Sequence, residues 1–309
     1  MGLTNFDNGV TSFGAVLPSG YPLTGAPHLW VQANYGNDGN TGKSPDSPFL
    51  TMARAFQFVE SGGVIHFTGK VKEQLVSPAG IFDVTIIGEQ TRPRHADDHT
   101  SDSLAVLGGR MAATWAAPDS PVSGQALLRI QQQGWHLHNI LWAGFTTGTP
   151  ASVEIVRNAA SGDDERDGSH AWISSCRFAG GSKGVRFGAT SYTENNFDCL
   201  IEDNEFSDCV IGIGGAQCYR LVLRGNRFLT NTNHIVLATT QCTLIDNVFQ
   251  NHTTDSINLT GGGGLNVITK NYLSGTYSVV GGYTKSNAND EWAGNFNTLA
   301  GGITVAAPA

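Results

Sequence analysis

At 309 residues the chain is long enough for one large domain or two small ones, and 40% hydrophobic residues exclude a disordered polymer. Only 14% of residues are charged and the formal net charge is −8, which leaves no basic surface for nucleic acid. No apolar run approaches the roughly 20 residues that span a bilayer, so no membrane partner is expected.

Residues 1–28 are rich in Gly and Pro and lack a sustained period; they read as an extended arm, ordered only when something binds it. The segment has neither a charged n-region nor an apolar h-region, so no export signal is expected. Five cysteines, an odd number without CxxC spacing, read as reduced thiols of a chain made in cytoplasm. A short strand is expected near Leu29–Gln32, then the loop "GNDGNTGKSPDSPFL", then one helix from about Thr51 to Glu60. Thr51 caps that helix, and Ala53, Phe56 and Val59 form its expected buried stripe. Short strand-like runs such as "GVIHFTG" and "DVTIIGE" follow between Gly, Pro and Asp turns.

From residue 171 a fixed motif recurs: "AWISSCRF" (171–178), "CLIEDNEF" (199–206), "LVLRGNRF" (221–228), "CTLIDNVF" (242–249) and "NVITKNYL" (266–273). Starts are 28, 22, 21 and 24 residues apart. The third position is always aliphatic. The sixth is Asn204, Asn226, Asn247 or Asn271, with Cys176 once, and the eighth is Phe178, Phe206, Phe228, Phe249 or Leu273. "WHLHNILW" (135–142) fits as a looser, earlier copy. A second short strand follows each motif, as in "GVRFG", "IGIGG" and "HIVLA". Repeats of this length, built from short strands without helices, predict a stacked parallel solenoid whose asparagines form an inward ladder.

These repeats, with the Gly/Asp/Asn loop and Thr-led helix before them, resemble the right-handed parallel β-helix proteins of the pectate-lyase-like superfamily. The resemblance implies an all-β solenoid with an N-terminal capping helix. It covers about residues 29–280, leaving 281–309 as a C-terminal cap in which Trp292 covers the last coil. The fold hosts lyases, hydrolases, tailspikes and inert structural proteins alike, so activity must be argued from residues.

Glu202, Glu205 and Asp208 are the natural candidates for a sugar-cleaving acid pair. Column alignment gives them another role. Glu202 and Glu205 point outward, Glu202 beside Arg224 and Glu205 between Arg177 and Arg227, as cross-rung ion pairs of ~0.2–1 kcal/mol each. Asp203 and Asp246 stand at the corner as turn formers. No catalytic residue and no cofactor is therefore expected. The loop "NDGNTGKSPD" (37–46) offers oxygen ligands for a metal but reads as turn structure, and His95, Asp97, Asp98 and His99 read as an exposed loop. "SGDDERDGSH" (161–170) reads as a solvated insertion. His136 and His138 read as structural histidines.

The arm sequence "TNFDNGVTSFG" carries Asn5, Phe6, Asn8, Gly9, Ser12, Phe13 and Gly14. It resembles an N-F-x-N-G-x-x-S-F-G signature of proteins encoded among the structural genes of tailed bacteriophages. That resemblance implies a virion component, held by its arm to the major capsid protein or another virion protein. The expected function is a non-enzymatic decoration or fibre-like protein, trimeric as viral β-helices commonly are. The alternatives are a tailspike-like depolymerase, or a non-catalytic binder of host glycan using Trp142, Tyr219, Tyr272, Tyr283 or Trp292.

Overall fold

The computed structural model describes residues 11–12, 15–16, 27–89, 113–144, 150–157, 167–188, 196–274, 283–284, 288–299 and 302–305. Most of the arm, including Asn5, Phe6, Asn8, Gly9, Phe13 and Gly14, lies outside these residues, as do His95–His99 and residues 161–166. Ser12 falls in a two-residue strand paired antiparallel with Ala15–Val16.

Among the described residues three sheets of ten, ten and nine strands stack along the solenoid, and a complete coil contributes to all three. The coil that contains the acidic cluster is representative. Leu200–Glu202 lies in the first sheet, Glu205–Ser207 in the second and Ile211–Tyr219 in the third. Strands pair in parallel with the coils before and after, so Ile201 stacks between Ile173 and Leu223, and Phe206 between Phe178 and Phe228. This is a right-handed parallel β-helix. Its core is the set of inward columns, because a strand alternates its side chains between faces.

From the coil of His136–His138 onward a sharp corner separates the first two strands. Its first residue is left-handed in each of these repeats: Asn139, Ser175, Asp203, Gly225, Asp246, Lys270 and Gly294 have φ between 53° and 63°. Asp, Asn and Gly tolerate that geometry best. The next residue turns inward and carries the amide ladder. Asn226 Oδ1 accepts from the Asn204 backbone N–H at 3.1 Å and from its Nδ2 at 3.0 Å. Asn226 Nδ2 in turn donates to the Ile201 carbonyl at 2.8 Å and to Asn247 Oδ1 at 3.1 Å. Cys176 ends the ladder by donating its backbone N–H to Asn204 Oδ1 at 2.8 Å. Every member is buried and its amide satisfied, as a buried polar group must be.

Several details depart from the sequence expectations. The helix spans Met52–Phe58 and buries Met52, Ala55 and Phe56, a stripe one residue out of step with the expected Ala53, although Phe56 and Val59 are buried. Its first N–H groups explain the start. Thr51 accepts from Arg54 N, and Glu73 accepts from Met52 and Ala53 N at 2.8 Å each, a carboxylate set against a helix N-terminus. Trp142 is not exposed. It is 0% accessible and stacks at 5.1 Å on Trp115 and 6.0 Å on Phe178, heading the phenylalanine ladder. The stack also runs on past residue 280. Glu291–Ala293 and Phe296–Leu299 make one more coil, Asn295 extends the amide ladder, and Gly302–Val305 closes the second sheet antiparallel. Trp292 stands in the inner column opposite Ile268, a place that lengthens the core.

Candidate functional site: the outer faces of the first two sheets

The first sheet turns two outward columns to its surroundings. In one, His138, Ser174, Glu202 and Arg224 succeed one another from coil to coil; in the other, His136, Trp172, Leu200 and Val222 do. The spacing of strands lets these side chains touch across rungs. The Ser174 hydroxyl lies 2.9 Å from both His136 Nε2 and His138 Nδ1. The His136 ring stacks on Trp172 with centroids 4.0 Å apart, and Trp172 Nε1 donates to Glu202 Oε1 at 3.0 Å. Arg224 closes the chain by donating its Nε to Glu202 Oε2 at 3.0 Å, with its Nη2 on the same oxygen. Glu202 in return holds the Arg224 guanidinium above its ordinary pKa. Burial, with His138 adding to it, pushes the His136 pKa down to about 3, so its imidazole is neutral at physiological pH.

Around the corner, in the second sheet, Glu205 pairs with Arg177 at 3.1 Å. Both side chains face away from the core yet are buried, at 6% and 2% exposure, while Arg227, next in register, is exposed. Asp208 has a left-handed backbone and accepts from Thr230 Oγ1 at 2.6 Å in the following coil. The three candidate carboxylates therefore engage different partners: an indole and a guanidinium, a buried guanidinium, and a hydroxyl.

A further acid escaped the sequence analysis. Glu154 in the third sheet is fully buried between Arg129 and Arg186, at 2.9 Å and 3.1 Å. Arg129, Glu154 and Arg186 are in register on three successive coils. The same alternation of charge down an outward column exposed the other pairs. On the third strand that signal is hidden, because the strand varies from two to nine residues and offers no fixed spacing. Among the aromatic candidates for sugar stacking, Trp142 and Trp292 face inward, Tyr272 belongs to the second sheet, and Tyr219 and Tyr283 belong to the third. Asp38 in the loop at 37–46 accepts from Leu50 N, Thr51 N and Thr51 Oγ1, fixing the entry to the helix. The five cysteines are free and buried, and burial raises Cys176 and Cys209 to about 12 and Cys242 to about 11.

Stacked coils, an inward amide ladder and outward ion pairs define a right-handed parallel β-helix protein. Residues 121–298 match the family described as periplasmic copper-binding protein (NosD), and the chain belongs to that family. Among solved structures, the crystal structure of Escherichia coli YbhC is 12% identical with a TM-score of 0.48, covering 93% of this chain and 80% of its own. The GH136 lacto-N-biosidase from Eubacterium ramulus is 10% identical with a TM-score of 0.34, covering 88% of this chain and 68% of its own. No curated protein matches the chain in sequence.

Proposed function

We propose that the chain is a rigid structural component of a tailed-bacteriophage virion, a decoration or fibre-like protein that attaches through its N-terminal arm. The observation that carries this reading is the use of the outward carboxylates. Glu202, Glu205 and Glu154 each serve as a rung in a cross-coil ion pair. A sugar-cleaving acid needs a carboxyl whose proton is free to be delivered to a substrate. Carboxylates engaged by guanidinium groups of neighbouring coils are committed to the stack, which supports architecture over depolymerisation. The arm signature supports the virion partner, with the major capsid protein or a neighbouring virion protein as its receptor, and the solenoid coils are suited to assembly as a trimer.

The NosD description names copper. Among the described residues, no three His, Cys, Asp or Glu side chains are grouped so that they could hold a metal ion. The cysteines are free and buried in core columns and corners, bonded to backbone; Cys242 Sγ donates to the Cys218 carbonyl at 3.3 Å. The described residues do not fit a copper site.

Proteomics of gradient-purified particles of the encoding phage tests the proposal. The chain is expected at a fixed copy number per particle. Its absence from particles, while present in the infected cell, contradicts the reading.

A further inference from the structure

The corner between the second and third sheets holds a group that the scaffold role does not need. His234 is fully buried beside the phenylalanine ladder, with ring centroids 5.8 Å from both Phe228 and Phe249. Its neighbour Asn231 ties this coil to the preceding one. Asn231 Oδ1 accepts from the Cys209 backbone N–H at 2.8 Å, and Nδ2 donates to the Phe206 carbonyl at 3.0 Å. Those two bonds fix which end of the amide is which. Nδ2 therefore has its second proton left for His234 Nδ1, 3.1 Å away, and that nitrogen must accept. In an imidazolium both ring nitrogens are donors, so a proton on Nδ1 would set donor against donor at the tie between coils.

We propose that His234 is an acid-sensitive latch: its protonation breaks the Asn231 tie and opens the solenoid at this corner. The groups facing it offer little to hold a charge. They are Phe228 and Phe249, Gly212 from the preceding coil, Ser256 from the following one, the Gln250 carbonyl and the ring of His252, 5.6 Å away. Asp255 is the acid nearby, and it acts on His252. The Gln250 carbonyl favours the charged form, but burial and His252 outweigh it and hold His234 down to about 3. An opened corner restores the ordinary value near 6.5. Because the folded pKa is depressed, the latch is fully closed above about 6.5 and its contribution is lost progressively as the pH falls towards about 3.

Hydrogen exchange of the full chain tests this. After correction for intrinsic exchange, the opening constant should approach a tenfold rise per pH unit below 6.5, about fiftyfold between pH 6.5 and pH 4.5. The loss of protection should centre on peptides covering 206–212 and 229–235. In His234→Gln, whose side-chain carbonyl still accepts from Asn231 but does not titrate, that dependence should vanish. Should the variant fail to fold, NMR titration of the wild-type histidines decides. His234 is expected to remain neutral to pH 4.5 while the corner is closed. Titration near 6.5 with protection intact overturns the latch, as does a His234→Gln profile identical to wild type. A pH-indifferent corner leaves the virion reading standing, and absence from virions leaves the latch standing.

Discussion

Individual residues carry two kinds of burden in this fold: satisfying buried backbone and adopting a left-handed corner. Asn226 does the first, with its amide bonded to Asn204, Ile201 and Asn247. Asn226→Ala removes the acceptor of the Asn204 backbone N–H, one of the two acceptors of its Nδ2 and a side-chain donor to the Ile201 carbonyl, and should lower stability by about 2–4 kcal/mol in urea unfolding. Lys270 does the second, at φ 57°. A side chain there costs roughly 1 kcal/mol that glycine avoids, so Lys270→Gly should raise the urea midpoint slightly. Gly225→Ala should lower it, since an added Cβ would lie 2.6 Å from Asp203 Oδ1. Much of this was legible. The Asn column of the 171–273 repeat foretold the ladder, because a polar residue recurring among aliphatic and aromatic columns must be doing the same bonding each time. The left-handed column was visible only at Asp203 and Asp246. Ser175 and Lys270 carry no signal for φ > 0, and their conformation follows from their neighbours in the stack.

At the scale of strands and columns, aromatic stacking and outward charge hold coils in register. Phe178, Phe206, Phe228 and Phe249 stack with centroids 4.7, 4.9 and 4.8 Å apart. Phe228→Ala removes a middle ring that has neighbours on both sides and should cost about 3–5 kcal/mol, read from the denaturation midpoint. The ion pairs deserve a larger value than an exposed ladder would suggest. Glu205 and Arg177 lie beneath other side chains, so Glu205→Gln leaves a buried guanidinium without its counter-charge and should cost about 3 kcal/mol. The sequence alone gives the register of such pairs but not their burial. An outward position on a strand is exposed only if nothing packs over it, and that depends on loops with no periodicity. The third strand of each coil illustrates the same limit. Its lengths vary from two to nine residues, so no fixed octet led to Glu154 and its two arginines.

The whole molecule is a stack whose two ends are finished differently. At the start, the loop at 36–50 bonds to the His28–Gln32 edge through Trp30 N to the Gly42 carbonyl and Phe49 N to the Trp30 carbonyl, and the Met52–Phe58 helix packs beside it. At the far end, the antiparallel Gly302–Val305 strand covers the second sheet. Both devices shield edges that would otherwise pair with another chain. The capping helix could be read from Thr51 and the loop before it. The final coil could not, because Trp292 and Asn297 replace the aliphatic and aromatic residues that mark the earlier repeats. The proposed role is a shielded solenoid attached to a virion through residues 1–26, and cryo-EM of particles of the phage proposed to encode the chain tests it most directly. Particles should show solenoid density with strands about 4.8 Å apart, joined to the virion surface through residues 1–26 and lost when those residues are deleted. Particles that lack such density, or keep it after the arm is removed, contradict the account.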